Sequence, residues 1–271
     1  MSISLPPHRP IKRRSGLAVM MAALHALIMR EMQTRFGSYR LGYLWAPLEV
    51  GLQVVIYLVV FGTIMNRVLP GMTYPLFLVA GVIPFFMFQR NATRALGAVE
   101  ANKGLLMYRA VRHIDVVLAR CLLELIIYFF TFWLLLGIMW LFFGLSFSIS
   151  ALHVVFFCWA GIFLFSVGFA LIMMIVGFYG GEISKFLSIF FTILYLVSGI
   201  IYSIHIVPEP YLSYLLYNPI IHNIELMRHA LSPTYPIYHI DIWYFVKWTA
   251  AVNFFGLLLY KAFEKDLIRS R

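Results

Sequence analysis

Ile114 to Phe143 reads IDVVLARCLLELIIYFFTFWLLLGIMWLFF, and beyond Arg120 it carries a single charge, Glu124. A helix crosses the hydrocarbon core of a bilayer with about 20 mostly apolar residues, so this run is long enough to span. Working outward, five more runs qualify, at 46–66, 74–97, 152–178, 183–203 and 243–261, which makes six. An even number of crossings puts both ends of the chain on one face. Of 21 Lys and Arg residues, 18 fall on the side of the termini. Only Arg67, Arg228 and Lys247 fall on or near the other side. Cytoplasmic segments carry the Lys/Arg excess, so both termini are expected in the cytoplasm. The fold class is therefore an all-α polytopic membrane protein.

The chain has 271 residues, 62% of them hydrophobic and 12% charged. Six spans consume most of that length, so one transmembrane domain over 1–271 is expected, with no separate soluble domain. The net charge of +10 is read first as the topology signal plus attraction to anionic headgroups, and only second as a path for an acidic substrate. Nucleic acid is not an expected partner, because no basic stretch belongs to a binding module. Cys121 and Cys158 fall inside spans and read as small buried hydrophobes. The basic start (Arg9, Lys12, Arg13, Arg14) and the apolar run from Leu17 to Met29 lack a small-residue cleavage site, since Arg30, Glu31 and Arg35 follow. A cleavable signal peptide is not expected.

Residues 1–16 form a polar arm. Residues 17–36 read as an amphipathic helix in the cytoplasmic interface, with Leu17, Met21, Leu24 and Ile28 on one face. Its apolar part is too short to span, and a seventh crossing would spoil the charge asymmetry. Pro47 suits the first turn of span one. Span two ends in Gln89, Arg90, Asn91 and Arg94. The segment from Val99 reads VEANKGLLMYRAVRHI, a short cytoplasmic helix with an apolar centre at Leu105, Leu106 and Met107, framed by Lys103 and Arg109. It reads equally as an ordinary basic loop on the headgroups, and the sequence leaves both open. Residues 204–242 are the least membrane-like part, with five prolines. Short helices dipping into the outer leaflet are expected there, since non-helical backbone at membrane depth must be buried or line a cavity. Span six, 243–261, leads to a cytoplasmic tail at 262–271.

Bond-making chemistry finds little support. There is no G-x-x-x-x-G-K-[ST] loop for nucleotide phosphates, no H-E-x-x-H, no close metal-ligand cluster and no G-x-S-x-G elbow. Asn91-Ala92-Thr93 matches a glycosylation sequon by chance, since it sits at a cytoplasmic helix end. Acidic residues inside the spans are few; Glu49 lies near the start of span one and Glu124 near the start of span three, and an ionisable group there is a functional candidate. Pairing with a nearby Arg40, Arg90 or Arg120 is the preferred reading. Aromatics form 17% of the chain, and a subset could line a channel, because sugar C–H faces pack on aromatic rings.

Arg30 to Pro47, REMQTRFGSYRLGYLWAP, resembles the start of the membrane subunit of type-2 ABC exporters that move bacterial surface polysaccharides. Arg30-Glu31, Arg35-Phe36, Ser38, Leu41-Gly42 and Trp45 match that pattern in order. Arg-Phe replaces the commoner Arg-Tyr. Tyr217-Asn218-Pro219, with Arg228 further on, resembles the family's Asn-Pro element before its last span, and the layout is similar along essentially the whole chain. Small size, a basic arm and short loops resemble the capsular permeases of the Kps type more than the O-antigen ones.

The resemblance implies a permease half in the bacterial inner membrane, performing no bond chemistry and holding no cofactor. ATP and Mg would sit on two copies of a separate ATPase. It implies a homodimer, periplasmic and outer-membrane export partners, and a lipid-linked acidic capsular polysaccharide as substrate. Alternatives are O-antigen or teichoic acid as cargo, a membrane-bound transferase, or a small-solute channel. Spans one, two and five would line the path, with Arg40, Arg90, Arg94, Lys185 and Trp45 near its cytoplasmic mouth. Arg90 and Arg94 share a helical face and could form a fork for an anionic head. Arg30, Glu31, Arg35, Lys103, Leu105, Leu106, Met107 and Arg109 would couple to the ATPase. Tyr217, Asn218, Pro219 and Arg228 would shape the outer gate.

Overall fold

The computed structural model describes residues 16–37, 42–64, 69, 71–106, 111–180 and 182–269. Their regular elements are all helical, with no strand among the described residues. In order they form α1 (Gly16–Phe36), α2 (Trp45–Tyr57), α3 (Tyr74–Leu96), α4 (Lys103–Leu106), α5 (His113–Phe143), α6 (Leu152–Tyr179), α7 (Ile183–Val197), α8 (Tyr211–Leu215), α9 (Pro219–Leu231) and α10 (Ile242–Arg269). Four of them, α3, α5, α6 and α10, are long and apolar enough to cross a membrane. Shorter apolar helices lie at Pro47–Phe61 and Phe186–Val197.

These elements follow the apolar runs closely, with two differences. The first run is a 13-residue α-helix that widens into a π-helical turn over Leu58–Ile64. The fifth ends at Val197 rather than near 203, because Gly199 turns the chain at φ 63°.

The bundle is built around α3. Along Leu76–Phe88 its side chains are buried all round. α6 and α5 flank it, and α9, α2 and α7 also pack on it. A helix that is apolar all round belongs in a core. Lipid is as apolar as these side chains, so close packing and interhelical polar contacts hold such a bundle. Buried Asn91 of α3 donates to Ser166 Oγ of α6 at 2.8 Å, which gives that sequon-like Asn an interior role. Phe129, Phe132 and Trp133 of α5 interleave with Phe156 and Trp159 of α6.

Between α6 and α10 the backbones nearly touch. A Cβ on Gly168 would stand 2.8 Å from Asn253 Cα, and one on Gly256 would stand 2.6 Å from Gly168 O. On the other side of α6, Gly177 lies against the backbone of Leu96. One apolar cluster joins Leu24 and Leu27 of α1 to Ala95, Val116, Val167, Tyr260 and Leu267. The inward line of α1 is thus Leu24, Leu27 and Ile28, and Met21, expected on that face, is exposed. The side chain of Leu17 lies outside the described residues.

Gly168→Ala should therefore destabilise the bundle by about 1–3 kcal/mol, the range for overpacking. Gly137→Ala, with open space around its Cα, should be neutral or stabilising. Thermal unfolding of the two variants in one detergent checks the contrast.

Candidate functional site

Two polar assemblies stand at opposite ends of the α3 bundle. The first gathers the charges of α1, α3 and α5. Glu124 of α5 is 3% exposed and takes Arg35 of α1 at 2.5 Å and Arg94 of α3 at 3.0 Å. Arg35 also pairs with Glu31, one helical turn back, at 3.0 Å. Arg120 of α5 lies 3.3 Å from that same Glu31 oxygen and donates to Arg94 O at 2.9 Å. Two carboxylates and three guanidiniums thereby tie three helices together. Burying a charge is costly unless it is paired and hydrogen-bonded, as Glu124 is here.

The pairing expected for Glu49 is found, with Arg90 at 2.8 Å, and both side chains are about half exposed. The pairing expected for Glu124 differs. Its partners are Arg35 and Arg94, whereas Arg120 turns to Glu31. Helix geometry explains this: residues 31 and 35 sit one turn apart on α1, and α1 packs along α5. Arg90 and Arg94 do border one recess with Glu49 and Glu124. Each is held by its own carboxylate, so they do not form an open fork.

Arg30 extends the assembly in another direction. Its Nη1 donates to Asn102 Oδ1 at 3.0 Å, and buried Asn102 donates back to Ala98 O at 2.9 Å. Asn102 lies in the 3₁₀ turn Glu100–Asn102 that leads into α4. So α1 is fastened both to the long helices and to the connection between α3 and α5. Lys103 pairs with Glu100 at 2.9 Å, and its hydrogen bond and charge hold the Glu100 carboxyl below its ordinary range. Trp45 is exposed at the start of α2. Arg40, Met107 and Arg109, and the side chains of Leu105, Leu106 and Lys185, lie outside the described residues.

The second assembly joins the end of α7 to α9. Asn218 caps α9 by accepting from Ile220 N at 3.1 Å, and its Nδ2 donates to Ser198 Oγ at 2.8 Å. Pro219 takes the first helical position, where its missing N–H is no loss. Arg228 is fully buried. It donates to Glu225 at 2.5 Å and to Gly199 O and Ile200 O at 2.9 Å each. Its guanidinium carbon stands 3.4 Å from the centroid of the Phe77 ring on α3. Gly81 leaves the space for it, since a Cβ there would meet Arg228 Nη2 at 2.6 Å. The Asn-Pro element and Arg228, ten residues apart, thus clamp the same turn. Tyr217 stays exposed, and its carbonyl accepts from Tyr244.

Glu225, Ser198 and Asn102 are the participants that sequence reading passed over. Glu225, three residues before Arg228 on α9, had a usable i,i+3 signal. Ser198 and Asn102 had none. No cluster of His, Cys, Asp and Glu able to hold a metal occurs among the described residues. Cys121 and Cys158 are free and buried.

Residues 22–232 match the ABC-2 type transporter family. The chain belongs to that family. Among ABC-2 relatives it is 41% identical to the polysialic acid transport protein KpsM of Escherichia coli, over 95% of this chain and 99% of the relative. It is 26% identical to the capsule polysaccharide export inner-membrane protein CtrC of Neisseria meningitidis serogroup B, over 93% and 95%. It is 22% identical to the O-antigen export system permease protein RfbA of Klebsiella pneumoniae, over 94% and 98%. The matched region of the ABC-2 family takes in both assemblies.

Glu124→Ala should free α1, since breaking a buried pair costs about 3–5 kcal/mol. In a variant lacking Cys121 and Cys158, a cysteine at buried Leu27 should then react with a thiol reagent much faster than with Glu124 present. Arg228→Lys should lose most of what Arg228→Met loses, because one ammonium cannot reach a carboxylate and two carbonyls in the arginine's fork geometry. Unfolding temperatures of the two variants test this.

Proposed function

We propose that this chain is the permease half of an ATP-driven exporter that carries a lipid-linked acidic capsular polysaccharide across the bacterial inner membrane. The observation that carries the reading is the 41% identity to KpsM over nearly the full length of both chains. Lower identity to the O-antigen permease favours capsule over O-antigen as cargo. The physical features agree with that role. No nucleotide-phosphate loop occurs in the sequence, so a separate ATPase supplies the energy. Two copies of the chain enclose the path, each with six crossings, both termini in the cytoplasm and α8–α9 dipping back from the outer face.

The charged assembly then lies at the cytoplasmic end, with α1 in the interface. ATPase closure pushes on α1 and the 99–112 segment. The Arg30–Asn102 bond joins these two elements. The Arg35–Glu124–Arg94 chain carries the push into α3 and α5. A largely buried ion-pair network suits this task because its geometry is fixed and directional. At the outer end the Asn218–Ser198 and Arg228–Gly199 bonds make α7 and α9 move together as a gate. Between the two ends, Tyr57, Phe86 and Tyr195 of α2, α3 and α7 cluster with ring centroids 5.8–6.2 Å apart. They supply aromatic faces on the three elements assigned to the path.

The test is complementation. With its own ATPase, the chain should restore surface polymer to a capsulate strain lacking its permease, and it should not restore O-antigen export. The double variant Leu105→Asp, Leu106→Asp should lose co-purification of the ATPase while still inserting in the membrane. O-antigen rescue without capsule rescue would reassign the cargo, and normal co-purification would remove the 99–112 segment from the ATPase contact.

A further inference from the structure

Arg90 differs from Arg94 in a way that reaches beyond topology. Arg94 is fixed by a carboxylate that is almost fully buried. Arg90 is held by Glu49 in an open pair, 40% and 52% exposed. Exposed pairs are worth about 0–1 kcal/mol, so Arg90 can leave Glu49 at little cost while it stays beside the buried Tyr128. It borders a recess of about 200 Å³ with Gln53 of α2 and Gln89, Thr93 and Phe86 of α3. That is far more than the 10–15 Å³ or so that one water needs.

Four of these five side chains are polar and none is acidic. Gln53 and Gln89 have no side-chain hydrogen bond among the described residues, and neither is among the residues with further contacts. Two amides from different helices therefore face an open space with both donors and acceptors uncommitted. Thr93 donates to Gln89 O at 2.9 Å, which leaves its hydroxyl oxygen to accept. Phe86 stacks on Tyr195 at 5.9 Å, so the recess adjoins the aromatic cluster of α2, α3 and α7.

We infer that this recess is a subsite for one acidic sugar of the transported polymer. The sugar's carboxylate sits on Arg90 and its hydroxyls on the Gln53 and Gln89 amides. An amide both donates and accepts, as a hydroxyl requires, and a guanidinium fits a carboxylate through two parallel bonds. The inference rests on the export reading above and divides the labour of two neighbouring arginines. Arg94 is part of the frame, and Arg90 meets the cargo. A phospholipid headgroup offers a similar anion, and the experiment separates the two sources.

The complete exporter, with its ATPase, is assembled with a photoreactive amino acid at position 53, 89 or 130. Position 130 is the control, because Phe130 is exposed on α5 and borders an apolar groove. Polymer and phospholipid carry different labels, and irradiation is done during ATP-driven export. Polymer should cross-link from 53 and 89 and not from 130. Gln53→Ala with Gln89→Ala should lower export about tenfold, the order expected for two lost hydrogen bonds. Gln89→Glu, which keeps the side chain's size, should lower it further by repelling the acidic polymer. Co-purification of the ATPase reports that each variant is assembled. Cross-linking of phospholipid instead of polymer from both positions, or wild-type export by the assembled Ala and Glu variants, would overturn the subsite. Those results would leave the export reading standing, whereas an unaltered exporter that moves no glycan would remove both.

Discussion

A buried carboxylate shared by two helices is the constraint on which this structure turns. Glu124 sits three turns into α5 and is almost fully buried, where an unpaired charge is costly. Arg35 and Arg94 pair with it from two helices. Arg35, itself 11% exposed, depends on the carboxylate in turn, whereas Arg94 is about one third open to its surroundings. The Arg35–Glu124 pair fixes the register of α1 against the bundle. Leu24 and Leu27 fall inward, Glu31 meets Arg120, and Arg30 reaches Asn102. Apolar contact alone would leave α1 free to rotate or slide, since hydrophobic packing is non-directional.

The opposite end solves a different problem with similar means. There the chain must turn sharply after α7 and re-enter the bundle as α9, leaving carbonyls without helical partners. Arg228 takes two of them, Gly199 O and Ile200 O, and is neutralised by Glu225. Gly81 and Phe77 of α3 shape the space for the guanidinium. α3 is therefore braced at both ends, by Arg94 at one and beneath Arg228 at the other. Such a helix can carry a displacement along its length. The short α2 and α7, each leaving a broad apolar face exposed, have fewer neighbours to restrain them.

Much of this was legible in the sequence, because length and hydrophobicity are one-dimensional signals. Ile114–Phe143 and 152–178 were found to within a residue, and residues 17–36 within one residue of α1. The fifth apolar run extends past its helix, since Gly199 breaks the helix while the following Ile200 and Ile201 remain apolar. The ion pairs were only partly legible. Arg30-Glu31 and Arg35 stood out as a motif, but the partner of Arg35 lies 89 positions away, and nothing local separates Glu124–Arg35 from Glu124–Arg120. The expectation that Arg90 and Arg94 act as one fork came from correct helical geometry. It missed that each faces a different carboxylate. Asn102 and Ser198 carry no signal at all, because a small polar residue becomes an anchor only when a distant side chain arrives.

The central claim is that α1, α3 and α5 move as one body when the ATPase closes. Distances between spin labels at exposed His25 of α1 and exposed Arg112, at the start of α5, measure this directly in the assembled exporter. The distribution should be narrow and unchanged between the nucleotide-free and ATP-bound states, while a pair from His25 to Phe186 on α7 shifts. An ATP-dependent change between His25 and Arg112 as large as that to α7 would contradict the account.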